Sequence, residues 1–332
     1  MTKEARYDIV AIGNAIVDVI AQADDAFLEE EQLNKGAMTL IDADRAKQLY
    51  SDMGTAREVS GGSASNTLAG ASILGRQCAL IAQVANDQLG EVFSHDIRAT
   101  GIDFDVPPIG EQPPTGRCLI LVTPDAQRTM NTFLGASQLL SPASVDTKLI
   151  ASGAILYLEG YLWDAEEPKA AMAQAIDIAR ENGRKVAFTL SDGFCVERHR
   201  DEFIGLIQDG KLDILFANEA EIKSLCETED FDAAVEQTAK QIETLIVTRS
   251  EKGAIAVHQG ESCSVSAERV GKVVDTTGAG DLFAAGFLSG YIEQRSIEDC
   301  LTIGAIAAAE VISHYGARPE ADLRALVKQR LG

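Results

Sequence analysis

Along the chain, short apolar runs alternate with longer stretches in which apolar residues recur every three or four positions. The runs at 7–12, 79–84, 154–158, 186–190, 213–217 and 244–248 are rich in β-branched and aliphatic side chains and read as strands. Ala-rich stretches at 63–75, 167–182, 231–242 and 280–293 carry helical spacing. Strand–helix alternation predicts an α/β fold: a largely parallel central sheet with helices on both faces. AILYL at 154–158 has no polar alternation, as a strand covered on both sides requires.

Two segments break this rhythm. Residues 14–50 contain the acidic stretch DDAFLEEEQ and a second short apolar run, GAMTLI, at 36–41. Residues 103–136 contain the turn-rich PPIGEQPP and then a hairpin pattern, with an apolar strand at 118–123, a Pro-Asp turn and a returning strand at 128–134. We read residues 1–332 as one domain, with both insertions forming a small β-sheet lid. Water exclusion during group transfer is a natural use for such an element.

Composition narrows the function. Of 332 residues, 46% are hydrophobic and 5% aromatic, so aliphatic side chains fill a globular core. The 51 acidic residues outnumber the 29 basic ones, for a formal net charge of −22, and no basic run appears. Such a surface argues against nucleic-acid and membrane partners. An acidic protein that binds a polyanion must supply positive potential locally, through backbone amides, a helix end or a metal ion. Six dispersed cysteines and four dispersed histidines form neither a disulfide framework nor a metal-ligand spacing. With no signal-peptide pattern and no apolar span of membrane length, a cytoplasmic location is expected.

Four stretches carry candidate chemistry. In VVDTTGAGDLFAAGFLSG (273–290) we expect a strand to end near Val274, a Gly-rich turn, and a helix from about Ala279. Gly278, Ala279 and Gly280 would present free amides at the positive end of that helix, an anion hole that needs no cationic side chain. Asp281, in the first turn, would be an ionised carboxylate able to accept a proton from a hydroxyl. The structural alternative is a glycine turn with an acid favouring a helix start. No Lys-Ser/Thr follows the glycines, so this is not a Walker loop, and it lacks the dinucleotide fingerprint.

SGGSASN (60–66) opens another helix, with Asn66 able both to donate to and to accept from a diol; glycine turning and capping is the alternative. AIGNAIVD (11–18) places Asn14 and Asp18 after the first strand, where open α/β sheets bind ligands. ILFANEAEI (214–222) ends a strand at Asn218 and puts Glu221 one turn later, either beside a hydrated Mg²⁺ or as a plain helix cap.

GGSASN and DTTGAGDLFAAGFL resemble the two signatures of the ribokinase-like (PfkB) carbohydrate and nucleoside kinase family. The NEAE stretch between them and the lid-like insertions agree along nearly the whole chain. The resemblance implies an ATP-dependent phosphotransferase acting on a primary hydroxyl, with Asp281 as base and Gly278, Ala279 and Gly280 as anion hole. It assigns Asn218, Thr248, Ser250 and Gly253 to the nucleotide and Glu221 to Mg²⁺ through water. Asp18, Gly62 and Asn66, with Asn14 nearby, correspond to acceptor-hydroxyl contacts. Asp275 and Thr277 match a loop associated in many members with a monovalent cation such as K⁺.

Ser63, where many simple-sugar kinases of the family carry Lys, looks more like the adenosine kinases, as do GNAIVD and the lid hairpin with Arg128. Arg128 would fold over the transferred phosphate or simply be a lid surface cation. Tyr161 and Trp163 would either stack on a base or sit in the core. Thr277 departs from the animal-type adenosine kinases. A nucleoside acceptor is therefore ranked first and fructose, ribose or 2-keto-3-deoxygluconate second. A non-catalytic sensor is the alternative of another class. Monomer and homodimer are both compatible with the family.

Overall fold

The computed structural model describes residues 5–125 and 127–332. Nine strands form the central sheet: β1 (Tyr7–Ile12), β5 (Cys78–Ile81), β6 (Ile102–Asp103), β9 (Gly153–Glu159), β10 (Lys185–Thr189), β11 (Ile214–Asn218), β12 (Thr244–Thr248), β13 (Ala254–His258) and β14 (Glu261–Val265). Their order is β14-β13-β12-β11-β10-β9-β1-β5-β6. All pairs from β12 through β6 are parallel, while β13 and β14 extend the far edge antiparallel.

The strands have no polar face because the sheet is covered twice. On β1, Ile9 and Ala11 enter one core and Val10 and Ile12 the other; on β9, Ile155 and Tyr157 oppose Leu156 and Leu158 in the same way. The first core takes residues of α3 (Ser63–Ile73), α4 (Gln88–Ala99), α10 (Ala279–Ile292), α11 (Ile297–Val311) and α12 (Leu323–Leu331). The second takes residues of α5 (Thr147–Ser152), α6 (Glu166–Glu181), α7 (Gly193–Gln208), α8 (Glu219–Leu225) and α9 (Phe231–Ala239).

The second sheet is the lid. It contains β2 (Ile16–Gln22), β3 (Met38–Leu40), β4 (Ala56–Gly61), β7 (Gly116–Val122) and β8 (Arg128–Phe133), ordered β3-β8-β7-β2-β4. One face packs on α1 (Asp25–Glu30) and α2 (Ala43–Asp52) through Val17, Val19, Leu119 and Leu121, which meet Leu28 and Leu49. The other face carries Ile16, Asp18 and Ile20 on β2 and Arg128 and Met130 on β8, following the strand period of two.

The expected elements are present with small shifts in their ends, and the differences are instructive. The first lid segment runs to Gly61 rather than to about 50, because AREVSG is a strand whose outer half is exposed and reads as loop. Within the second, lid strands occupy 116–133, while residues 102–103 belong to the main sheet. No strand ends near Val274. That residue lies in a loop tied down by its amide bond to the Ile312 carbonyl, 2.8 Å away. GGSASN likewise follows a lid strand, not a strand of the main sheet.

Candidate active site

The Gly-rich stretch is a helix start with an exposed set of donors. Gly278, the residue before α10, sits in the left-handed region at φ 78°, and no side chain caps the helix. A side chain there would be strained and would meet Ala317 Cβ at 2.7 Å. Among the described residues the amides of Gly280 and Asp281 make no backbone hydrogen bond, and the space over Gly280 is open. Free amides at the positive end of a fourteen-residue helix are suited to phosphate.

Asp281 faces α3. Ser63 Oγ donates to its Oδ1 at 2.6 Å and Asn66 Nδ2 donates to its Oδ2 at 3.0 Å. Burial raises its pKa above the ordinary aspartate value, against the pull of those two donors and of the Arg318 charge. Two of the expected acceptor-binding residues thus contact the candidate base itself.

Asn14 is held by Glu159, the last residue of β9 and fully buried. Glu159 accepts from the Asn14 amide at 2.8 Å, from Asn14 Nδ2 at 2.6 Å and from the Ala64 amide at 2.7 Å. Burial pushes its pKa up to about 7 while the three donors pull it down. This leaves Oδ1 of Asn14 and Oδ1 of Asn66 buried without a partner, two acceptors ready for hydroxyl donors. Gly62, at φ 97°, carries the chain between β4 and α3. Asp18 lies in lid strand β2 with its carboxylate against Gly61. Burial raises its pKa to about 6, opposed by Arg128 and Arg318.

Arg128 reaches from the lid to the Gly-rich loop. Its Nη1 donates to Asp275 Oδ2 and, at 2.8 Å, to Thr277 Oγ1. Asp275 also accepts from the Thr277 amide at 3.0 Å and the Gly316 amide at 2.9 Å. The charge a monovalent cation would balance at Asp275 is already balanced by this guanidinium. In this arrangement Arg128 occupies the carboxylate and hydroxyl that the resemblance assigns to K⁺.

Asn218 and Glu221 form a reciprocal helix cap. Asn218 Oδ1 accepts from the Glu221 amide at 2.8 Å, and Glu221 accepts from the Asn218 amide at 2.9 Å and from its Nδ2 at 2.6 Å. Glu221 is 4% exposed, and burial lifts its pKa to about 7. Among the described residues no group of three or more His, Cys, Asp or Glu stands together as a metal cage. A magnesium ion carried on ATP phosphates keeps most of its waters and needs no such cage, so an outer-sphere Glu221 fits it.

Thr248 ends β12 beside Asn218 on β11. Ser250 and Gly253 bound the turn that follows, with the Gly253 amide donating to Ser250 O at 3.1 Å. Trp163 is 4% exposed, packs edge-on against Phe188 and Phe203, and donates to Glu202 at 2.9 Å. It is a core residue, not a base-stacking one. Tyr161 donates its hydroxyl to Ser191 O at 3.2 Å.

Sequence reasoning missed Glu159 and Arg318. The first is detectable as an acid ending an apolar strand, GAILYLE. Arg318 lies in an irregular segment after α11, with its partners some 250 residues earlier (|i−j| of 258 and 253), and no local signal marks it.

A family model described as pfkB family carbohydrate kinase matches residues 8–323. The structure of adenosine kinase from Sinorhizobium meliloti is 51% identical, covers 98% of this chain and 100% of that one, and superposes with a TM-score of 0.91. A probable sugar kinase from Rhizobium etli is 48% identical, with coverage of 98% and 99% and a TM-score of 0.92. Adenosine kinase of Saccharomyces cerevisiae is 25% identical over 93% of this chain and 95% of its own length.

Proposed function

The chain belongs to the pfkB family of carbohydrate kinases, and from that premise we propose that it transfers the γ-phosphoryl group of ATP to the primary hydroxyl of adenosine, with Asp281 as general base. It is an ATP-dependent phosphotransferase with an alcohol acceptor, a nucleoside or a sugar. The observation that carries the choice of adenosine is the inner face of the lid. Buried Ile16, Cys118 and Ile120, flanked by Ile20, Val122 and Met130, form an apolar plane on the same side as Asp18 and Arg128. A planar base would cover the half-buried Ile20, Val122 and Met130, which a free sugar would leave wet.

In this reading Asp18 grips the ribose diol, and the open acceptor oxygens of Asn14 and Asn66 take further hydroxyl donors. The primary hydroxyl meets Asp281, whose oxygens keep lone pairs beyond those bonded to Ser63 and Asn66. As that oxygen bonds to the γ-phosphorus, the bond to the β–γ bridging oxygen breaks, ADP leaves and the hydroxyl proton passes to Asp281. The free amides of Gly280 and Asp281, at the end of the Gly278–Gly280 turn, neutralise the charge on the transferring group, while the Ala279 amide is held by the Thr276 carbonyl at 3.2 Å. Arg128 exchanges Asp275 and Thr277 for phosphate oxygens, while Thr248, Ser250 and Gly253 line the nucleotide. Magnesium, when bound with ATP, screens the phosphate charge, with Asn218 and Glu221 ordering its water shell. Six unpaired cysteines suit a reducing, cytoplasmic location.

The sugar-kinase reading is favoured by the similarity to the R. etli protein. An ADP-release assay with MgATP and adenosine, inosine, guanosine, ribose, fructose and 2-keto-3-deoxygluconate separates the readings. Turnover on adenosine far above the others is expected. Preference for a free sugar transfers the same mechanism to the second reading, and no turnover on any acceptor points to a sensor.

A further inference from the structure

Ser60, the penultimate residue of lid strand β4, is gripped from two sides. Its amide donates to Asp96 Oδ2 of α4 at 3.1 Å. Its carbonyl accepts from Arg318 Nη2 at 2.9 Å and Nε at 3.2 Å, and its hydroxyl from Nη2 at 3.2 Å. The same guanidinium donates through Nη1 to the Ser65 carbonyl at 2.8 Å. A single planar fork therefore spans the whole Ser60–Ser65 turn, from the end of the lid into the first turn of α3. That turn carries Ser63 and Asn66, the two residues that hydrogen-bond Asp281.

Three observations distinguish this arginine from an ordinary structural cation. Among the described residues it makes no ion pair with a carboxylate, although the charges of Asp18, Asp281 and Asp96 act on it. All its recorded bonds go to one turn. It also stands beside Gly316 and Ala317, which touch the Gly-rich loop through the Asp275 carboxylate and the Gly278 Cα.

We infer that Arg318 is a positioning residue for phosphoryl transfer: it pins the hinge between lid and α3 so that Ser63 and Asn66 meet Asp281, and it supplies the fixed positive charge between Asp18 and Asp281. The inference rests on the reading of Asp281 as base. Arg318 touches neither reactant; it acts through the turn it holds. Charged and titratable groups around Asp281 are Asp18 and Arg128 on the lid, Asp275 in the Gly-rich loop, Tyr157 and Glu159 on β9, Tyr161 after β9, and Arg318; of the two cations, Arg318 is the one whose charge favours ionised Asp281. Burial and its like-charged neighbours thus oppose ionisation of Asp281, and Arg318 favours it.

Two variants test this in the full-length enzyme. Arg318→Lys keeps the charge but cannot span the three acceptors, Ser60 O, Ser60 Oγ and Ser65 O. It should raise the KM for the acceptor and lower kcat, together costing about tenfold or more in kcat/KM. The acid limb of its pH–rate profile should stay in place. Arg318→Met also removes the charge, and its acid limb should move to higher pH, since Asp281 then protonates more readily. Thermal midpoints measured alongside identify any loss due to unfolding.

A folded Arg318→Lys enzyme with wild-type kcat and acceptor KM overturns the clamp. A folded Arg318→Met enzyme with an unmoved acid limb overturns the electrostatic half. If Arg318→Met does not fold, Arg318→Lys with its charge in place still decides the clamp, and added methylguanidinium should restore turnover to Arg318→Gly. Failure of that rescue at saturating concentration counts against the proposal. Asp281→Asn serves as the separate control: if it retains turnover, the base assignment falls, while the effect of Arg318→Lys on acceptor KM still reports on the turn.

Discussion

Asp281 accepts two hydrogen bonds and is nonetheless buried deeply enough to hold its proton more tightly than a solvated aspartate. A base must be ionised to work. Activity should therefore fall as pH drops through its raised pKa, and the acid limb of kcat/KM should lie above the ordinary aspartate value. Asp281→Asn should lower kcat by about 10²–10⁴ with little change in acceptor binding, measured by steady-state kinetics and titration calorimetry. Asp18 gives a prediction of opposite sign for stability. Burial holds its folded pKa at about 6, above the ordinary aspartate value of 3.8, so the folded state retains the proton across that window and stability drops as pH rises through it. Asp18→Asn should thus be more stable than the wild type at pH 8, by about 2 kcal/mol, with no gain near pH 4, in urea titrations at both pH values. The same variant should bind acceptor poorly.

Helix α10 contains two glycines with contrary reasons for being there. Gly286 faces α11 so closely that an added Cβ would lie 2.6 Å from the Ile303 carbonyl and 2.7 Å from Gly304 Cα. Gly286→Val should cost about 1–3 kcal/mol in unfolding free energy by wedging these helices apart. Gly280, one and a half turns earlier, has nothing within 4 Å of an added Cβ. Gly280→Ala should leave stability equal or up to about 1 kcal/mol higher, because alanine favours helix, while its methyl group fills the space meant for phosphate and lowers kcat/KM for ATP. Elements this regular were legible in the sequence. The strands with residues bound for two cores announce themselves, as do α3, α6, α9 and α10. Strand β4 did not, because its exposed Ala56 and Arg57 and half-buried Glu58 imitate a loop, nor did β14, where polar residues alternate on a two-strand edge. In the site, the residues carried by turns at helix starts were readable, since glycines and small polar residues have local causes. Glu159 and Arg318 act across the fold, and only packing brings them to the turn they hold.

At the scale of the whole molecule, a net charge of −22 surrounds a site that must admit ATP. Repulsion at long range should slow that encounter, so kcat/KM for ATP should rise as choline chloride is raised from about 10 to 150 mM and the Debye length shrinks from ~30 to ~8 Å. A flat or falling profile would show that the anion hole and its neighbourhood outweigh the rest of the surface. The lid has a consequence of another kind. Its central strand β7 comes from the second visit of the chain, and the neighbouring β2 with edge strand β4 from the first. On a ribosome, the early half emerges with an open edge at β2 and must wait while α3, β5, α4 and β6 are synthesised. Only when Gly116–Val122 has left the exit tunnel is that edge closed, so the small sheet is also the last part of the N-terminal half to be completed, and the exposed edge of β2 is the place where a stalled nascent chain would be most open to chaperones or to pairing with another copy.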